Sequence, residues 1–256
     1  MKKELTTLFT GRHSTFLPEI NSTNTYLAGI LHKISLPEGS VIRAVKQNSG
    51  RGQKDSIWES EAGKNLLLSF LFYPSFITPK DVFLLNKTFT LSVYDFVTIW
   101  LKKKVSIKWP NDIYWKNKKV SGILIENSIN ASTISHSIIG IGVNINQNLF
   151  SPDLLNPVSF SLINHKEYDL EELFNSLCSC IEARYLQLKS GDIKSIDKDY
   201  QSALFSIGKW KIYESMDNRF KGCIEGVDEY GKLLIQTENG EIKKYDLKEI
   251  KFVDHY

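Results

Sequence analysis

The sequence predicts an α+β chain, with strands and long helices first and a short all-β tail after them. Three observations carry this. Residues 65–73 form a nearly unbroken apolar run of strand length. Residues 81–104, and a segment opening near Asp169, repeat apolar side chains at spacings of three and four. From Phe205 onward, short alternating segments are separated by evenly spaced turn residues. A length of 256 residues allows one sizeable core and a small second unit. The boundary is placed near Ala203, giving domains 1–202 and 203–256.

In chain order, residues 19–24 lead into a short helix over 25–32, for which Thr23 or Asn24 offers a cap. Residues 41–46 read as a strand and 47–64 as a polar loop, followed by the apolar strand. In the helix over 81–104, Val82, Leu85, Phe89, Val93, Phe96, Val97 and Trp100 share a face. Strands follow at 106–109, 113–115, 120–127 and 136–144, with turns at 110–112 and 116–118. The second long helix carries Leu170, Leu173, Phe174, Leu177, Ile181, Tyr185 and Leu188 and ends at Gly191. The tail strands are 210–214, 221–227, 232–236 and 242–247, a pattern suited to a small antiparallel barrel.

Composition excludes several classes. Hydrophobic residues at 42% and charged residues at 24% exclude wholesale disorder. A net charge of +3 is too mild to imply a nucleic-acid grip. The three cysteines form neither an even disulfide set nor a zinc pattern, and the five histidines share no ligand spacing, so no fixed metal site is expected. No G-x-S-x-G supports covalent hydrolase chemistry. The N-terminus lacks the apolar run of a signal peptide, and 66–77 is too short for a membrane span. A cytoplasmic protein is expected, binding neither membrane nor nucleic acid.

Four stretches can carry chemistry. The loop from Gln47 to Trp58 holds Gly50, Arg51 and Gly52. Glycines let backbone amides turn toward an anion, Arg51 suits phosphate or carboxylate, and Trp58 offers a stacking surface. Asp55 stands where a dinucleotide fingerprint needs its third glycine and no helix follows, so a Rossmann site is not supported. Alone, such a loop is equally a surface connection. Lys108-Trp109-Pro110-Asn111-Asp112 is either a turn with a packed tryptophan or a pair of strand ends projecting Lys108 and Asp112. There a carboxylate could hold Mg²⁺ or orient an amine. Lys119 begins an otherwise buried strand, and Gly122 follows at a position suited to exclude a bulky side chain. In 140–146, Asn144 is either satisfied by a turn or reads a polar ring.

In this order, the stretches resemble the biotin–protein ligases. The shared pattern is Ser22-Thr23-Asn24, Gly50-Arg51-Gly52 with Trp58, the Lys108–Asp112 motif, Lys119 through Gly122-Ile-Leu-Ile to Glu126, and Gly140-Ile-Gly142-Val-Asn144. The resemblance covers residues 15–150 closely. It implies a mixed β-sheet flanked by helices, like class II aminoacyl-tRNA synthetases, with a small C-terminal SH3-like β-barrel. The implied reaction makes biotinyl-5′-AMP from biotin and MgATP, then passes the biotinyl group to a lysine of a biotin carboxyl carrier protein or domain. Arg51 and Lys119 are then catalytic. Ser22, Thr23, Asn24, Gln47, Arg51, Gly52, Gln53, Lys119 and Gly122 would bind biotin. Arg51, Trp58, Lys108, Asn111 and Asn144 would bind the nucleotide, with Asn144 on the adenine edge. Lys108 and Asp112 would flank the carrier lysine or the metal. Mg²⁺ would arrive with ATP, and a homodimer is compatible.

The chain departs from the pattern in the glycine loop. A further glycine is usual where Asp55 stands, and a basic residue is common at Gln53 or Ser56. A carboxylate beside phosphates is unfavourable, so Asp55 would loosen retention of the adenylate or point outward. The short stretch before Ser22 leaves no expectation of a DNA-binding domain or a repressor role. The rival readings are a lipoate–protein ligase, which lacks the Lys108–Asp112 motif, a silent biotin- or nucleotide-binding module, and a nucleic-acid binder resting on Lys102–Lys104 and Lys116–Lys119.

Overall fold

A seven-residue strand with every residue buried, Leu66–Phe72 (β3), runs through the middle of the main sheet. The computed structural model describes residues 5–53, 56–130, 132–216 and 218–253. Before β3 come β1 (Ser14–Ile20), α1 (Thr23–Leu31) and β2 (Val41–Gln47). After it come α2 (Phe83–Leu101), β4 (Val105–Lys108), β5 (Asp112–Trp115), β6 (Lys118–Asn130) and β7 (Thr133–Val143). The seven strands lie in the order β1-β2-β3-β7-β6-β5-β4. Only the β1–β2 pair is parallel, so the sheet is mixed, as expected.

Three helices follow: α3 (Phe160–Asn164), α4 (Leu170–Lys189) and α5 (Ile193–Ala203). Helices α2 and α4 pack together over one face of the sheet, on a core that includes Phe70, Phe72, Phe89, Ile139, Ile141 and Tyr185. Helix α2 with the turn before it, residues 79–101, is long and apolar enough to cross a membrane, yet much of it faces this core. Arg184 of α4 ties three helices together, bonding Asp95 on α2 at 2.6 Å and Asp199 on α5 at 2.7 Å. The opposite face carries α1 over a smaller cluster of Leu27, Ile42, Leu71 and Ile138.

The structure corrects several local expectations. Ser22, not Thr23 or Asn24, caps α1: it adopts extended backbone and its hydroxyl accepts from the Thr25 amide. That frees Thr23 and Asn24, both buried, to face the sheet. Strand β1 was not expected because Pro18 and a largely exposed surface hide its alternation. It is an edge strand, where a missing amide is tolerated. Helices α3 and α5 were also not expected; α3 is only five residues long, and α5 buries just Ile196, Tyr200 and Ala203.

The tail forms a second, antiparallel sheet of β8 (Trp210–Ser215), β9 (Asn218–Val227), β10 (Leu233–Thr237), β11 (Ile242–Tyr245) and β12 (Lys251–Phe252), in the order β11-β10-β9-β8-β12. This is consistent with an SH3-like unit; among the described residues no ladder joins β11 to β12. With four and two residues, these edge strands are short for closure. The Trp109 indole donates to the Gly231 carbonyl at 2.9 Å, and the Phe205 amide donates to Ile107, pinning the second sheet beside the β4–β5 turn.

Candidate active site

Side chains on a strand alternate between faces, and on the face under α1 the central strands become small. Gly142 pairs with Gly122 and Leu67, and Gly140 pairs with Leu124 and Ser69. The cleared surface is the floor of a cavity of about 800 Å³. Asn24 lies directly over Gly140, where any Cβ would collide with its amide. The Trp58 indole lies over Gly142 and Gly122, and a Cβ on Gly122 would sit 3.0 Å from the ring. Glycine serves here to admit other groups to the sheet surface.

The inner end of the cavity is a hydrogen-bonded polar cluster. Gln47 Oε1 accepts from the Thr23 amide at 2.8 Å and from its hydroxyl at 3.0 Å. Ser69 Oγ lies 2.7 Å from Thr23 Oγ1 and donates to Asn24 Oδ1 at 2.5 Å. Ser22, Thr23, Asn24 and Gln47 all line the cavity.

Cations border the remainder. Arg51 pairs with Glu126 at 2.8 Å, and Lys119 pairs with Asp112 at 2.8 Å while lying 5.7 Å from the Trp58 ring centre. Lys108 sits beside Tyr114 and Phe252. Burial pushes its pKa below the ordinary lysine value; the nearby charge of Lys119 adds to this and Asp112 opposes it.

The glycine loop is a tight hairpin. The Trp58 amide donates to Gly50 at 2.9 Å, the Gly52 amide donates to Ser56 at 2.7 Å, and Arg51 bridges Ile57. A Cβ on Gly50 would strike the Trp58 carbonyl, so the backbone approach itself demands glycine. Lys54 and Asp55 lie outside the described residues. The Trp58 indole N–H is buried without an acceptor among the described residues.

Thirteen of the fourteen sequence-proposed residues line this one cavity: Ser22, Thr23, Asn24, Gln47, Arg51, Gly52, Gln53, Trp58, Lys108, Asn111, Asp112, Lys119 and Gly122. Asn111 is 2% exposed and donates to the Ile123 carbonyl at 2.7 Å, which anchors the β4–β5 turn. Asn144 is not among the lining residues; it is buried, its Nδ2 donates to Val158, and its Oδ1 has no partner among the described residues. Sequence reasoning missed Ser69, although a lone serine in the run Leu-Leu-Leu-Ser-Phe-Leu-Phe was a usable signal. It also missed Glu214, Arg219, Lys248, Lys251 and Phe252, which bring the second sheet to the cavity wall. Their spacing along short polar strands carried no such signal.

Comparison with known proteins places the sequence and the fold in a family. The profile of the Biotin/lipoate A/B protein ligase family matches residues 16–144, and that of the biotin protein ligase C-terminal domain matches residues 215–247. The bifunctional ligase/repressor BirA of Bacillus subtilis (strain 168) is 30% identical over 242 residues, covering 92% of this chain and 73% of that protein. The biotin–[acetyl-CoA-carboxylase] ligase of Paracoccus denitrificans is 25% identical over 205 residues, covering 78% and 85%. The biotin protein ligase of Aquifex aeolicus, solved in complex with biotin and ATP, superposes with a TM-score of 0.79 at 26% identity, covering 94% of this chain and all of that one. On its sequence and its fold, the chain belongs to the biotin/lipoate protein ligase family and carries the C-terminal domain of its biotin protein ligases.

Proposed function

We propose that the chain is a biotin–protein ligase: it joins biotin to ATP as biotinyl-5′-AMP and transfers the biotinyl group to a carrier lysine. The observation that carries this is one cavity with a dense hydrogen-bonding cluster at its inner end and Arg51, Lys108 and Lys119 along its length. A ureido head offers donors and acceptors that match the cluster of Ser22, Thr23, Asn24 and Gln47. A dithiolane ring carries no hydrogen-bonding group to offer that polar cluster, which favours biotin over lipoate.

In the first step a biotin carboxylate oxygen attacks the α-phosphorus. The bond to the β-phosphate oxygen breaks, and pyrophosphate leaves with the electron pair. Both reactants are anions, so Arg51 and Lys119 lower the repulsion and stabilise charge on the phosphorus oxygens. In the second step the carrier's ε-amine attacks the carbonyl carbon, loses a proton, and AMP departs. Asp112, 2.8 Å from Lys119, stands where it can take that proton. Trp58 covers the glycine floor and helps exclude water from the anhydride.

The residues present suit Mg²⁺ carried by phosphates rather than a protein cage. The lining carboxylates Asp112 and Glu214 are both paired with cations, so Asp112 would offer at most one oxygen to an ion that supplies charge neutralisation. The expected partner is a carrier domain of a biotin-dependent carboxylase. A division of the chain near Ala203 is supported by α5 ending there and β8 opening at Trp210. A cytoplasmic setting is supported by three free thiols.

The test is transfer. Purified chain, MgATP, biotin and a biotin carrier domain should yield one biotinyl mass increment on the carrier, lost when the acceptor lysine is replaced. An unmodified carrier, with biotin bound and the chain folded, would refute the assignment.

A further inference from the structure

Glu126 lies on β6, the strand that also carries Lys119, and neither an anionic ligand nor a cation set calls for a carboxylate at this point. Both of its oxygens are nevertheless engaged. Oε1 meets Arg51 Nη2 at 2.8 Å, and Oε2 accepts from Arg51 Nη1 at 3.3 Å and from Asn24 Nδ2 at 2.8 Å. Asn24 is only 3% exposed, and its Oδ1 is already held by Ser69. Ser69 in turn lies against Thr23, which is bonded to Gln47. Gln47 and Arg51 flank the first turn of the glycine loop. The contacts therefore leave the loop at Gln47, cross the cavity floor and return to the loop at Arg51.

We infer that Glu126 is a positioning residue for Arg51, an inference that rests on the ligase reading above. Half-exposed at its own end, Arg51 would otherwise sample many rotamers. The carboxylate occupies one edge of the guanidinium and leaves the other N–H groups for an anionic ligand. Asn24 fixes the carboxylate, so the geometry of the polar cluster is transmitted to the cation. Glu126 touches no reacting atom; its contribution is the placement of Arg51 when charge develops on the phosphorus oxygens.

The experiment is biotin-dependent pyrophosphate exchange into ATP by the full chain, comparing wild type, Glu126→Gln, Arg51→Lys and the double variant. Glutamine keeps an acceptor for Asn24 and removes the charge. Glu126→Gln should lower kcat about tenfold, leave KM for biotin unchanged, and add no further loss to Arg51→Lys. A merely structural role would instead lower the melting temperature and raise KM for biotin. Equal losses in the two backgrounds, or wild-type kcat in Glu126→Gln, would overturn the inference. Failure of the ligase reading is distinguishable, because wild type itself would then show no biotin-dependent exchange.

Discussion

The two faces of the central sheet are built from the same strands and do opposite things. Toward α2 and α4, Leu68, Phe70, Ile123, Ile139 and Ile141 fill the volume with branched and aromatic side chains. Toward α1, the residues between them are Ser69, Gly122, Gly140 and Gly142, and the space above them is left to Asn24, Trp58 and a ligand. Stability is concentrated on one face and vacancy on the other, one residue apart along each strand. Substitutions at neighbouring positions should therefore separate folding from chemistry.

The largest effect is expected at the cavity's edge. Lys119→Ala should reduce adenylate formation by about 10³-fold while leaving biotin binding largely intact, because its charge is needed when the phosphorus is attacked. Pyrophosphate exchange with parallel calorimetry of biotin binding checks this; near-normal exchange would remove Lys119 from the chemistry. Gly142→Val should displace the Trp58 indole and cost about a hundredfold in the same assay. The fold should survive, as the added methyls enter the open face. Should Gly142→Val unfold the chain instead, the vacancy would have a structural role that this comparison denies.

The opposite outcome is expected on the packed face. Ile139→Ala removes a fully buried side chain and should cost about 3 kcal/mol in denaturant unfolding. The folded fraction should keep its KM for biotin, and a raised KM would show the faces to be coupled. The smallest effect is a pH dependence at Lys108. Its folded pKa lies below 10.5 because of burial, so the unfolded chain binds more protons across the interval between the two values. Stability from this group therefore rises with pH through that interval. Relative to wild type, Lys108→Met should be most stabilised near neutral pH, and the difference should shrink as pH approaches 10.5. A difference that grows with pH would contradict the burial of a charged Lys108.

What was legible in the sequence followed from local pattern. The apolar run of β3 and the periodic faces of α2 and α4 are set by side chains within one element, and their positions agree with expectation. The ordered motifs also located the cavity, since each constrains its own backbone. Less legible were features that depend on distant partners. Strand β1 exists because β2 offers a parallel edge, and α5 because Arg184 and β4 receive it. Ser22 was passed over as a cap because three adjacent residues were all capable of capping, and only the buried bonds of Thr23 and Asn24 decide among them. The basic residues of the second sheet join the site through docking bonds such as those of Trp109 and Phe205, which no local pattern encodes.

The most direct test of the central claim is pyrophosphate release from MgATP by the purified chain with biotin, with lipoate and with neither. Biotin alone should support release, because its head group offers donors and acceptors to the cluster of Thr23, Asn24, Gln47 and Ser69 and a dithiolane ring offers none. Equal or greater release with lipoate would contradict the reading of that cluster as a ureido site.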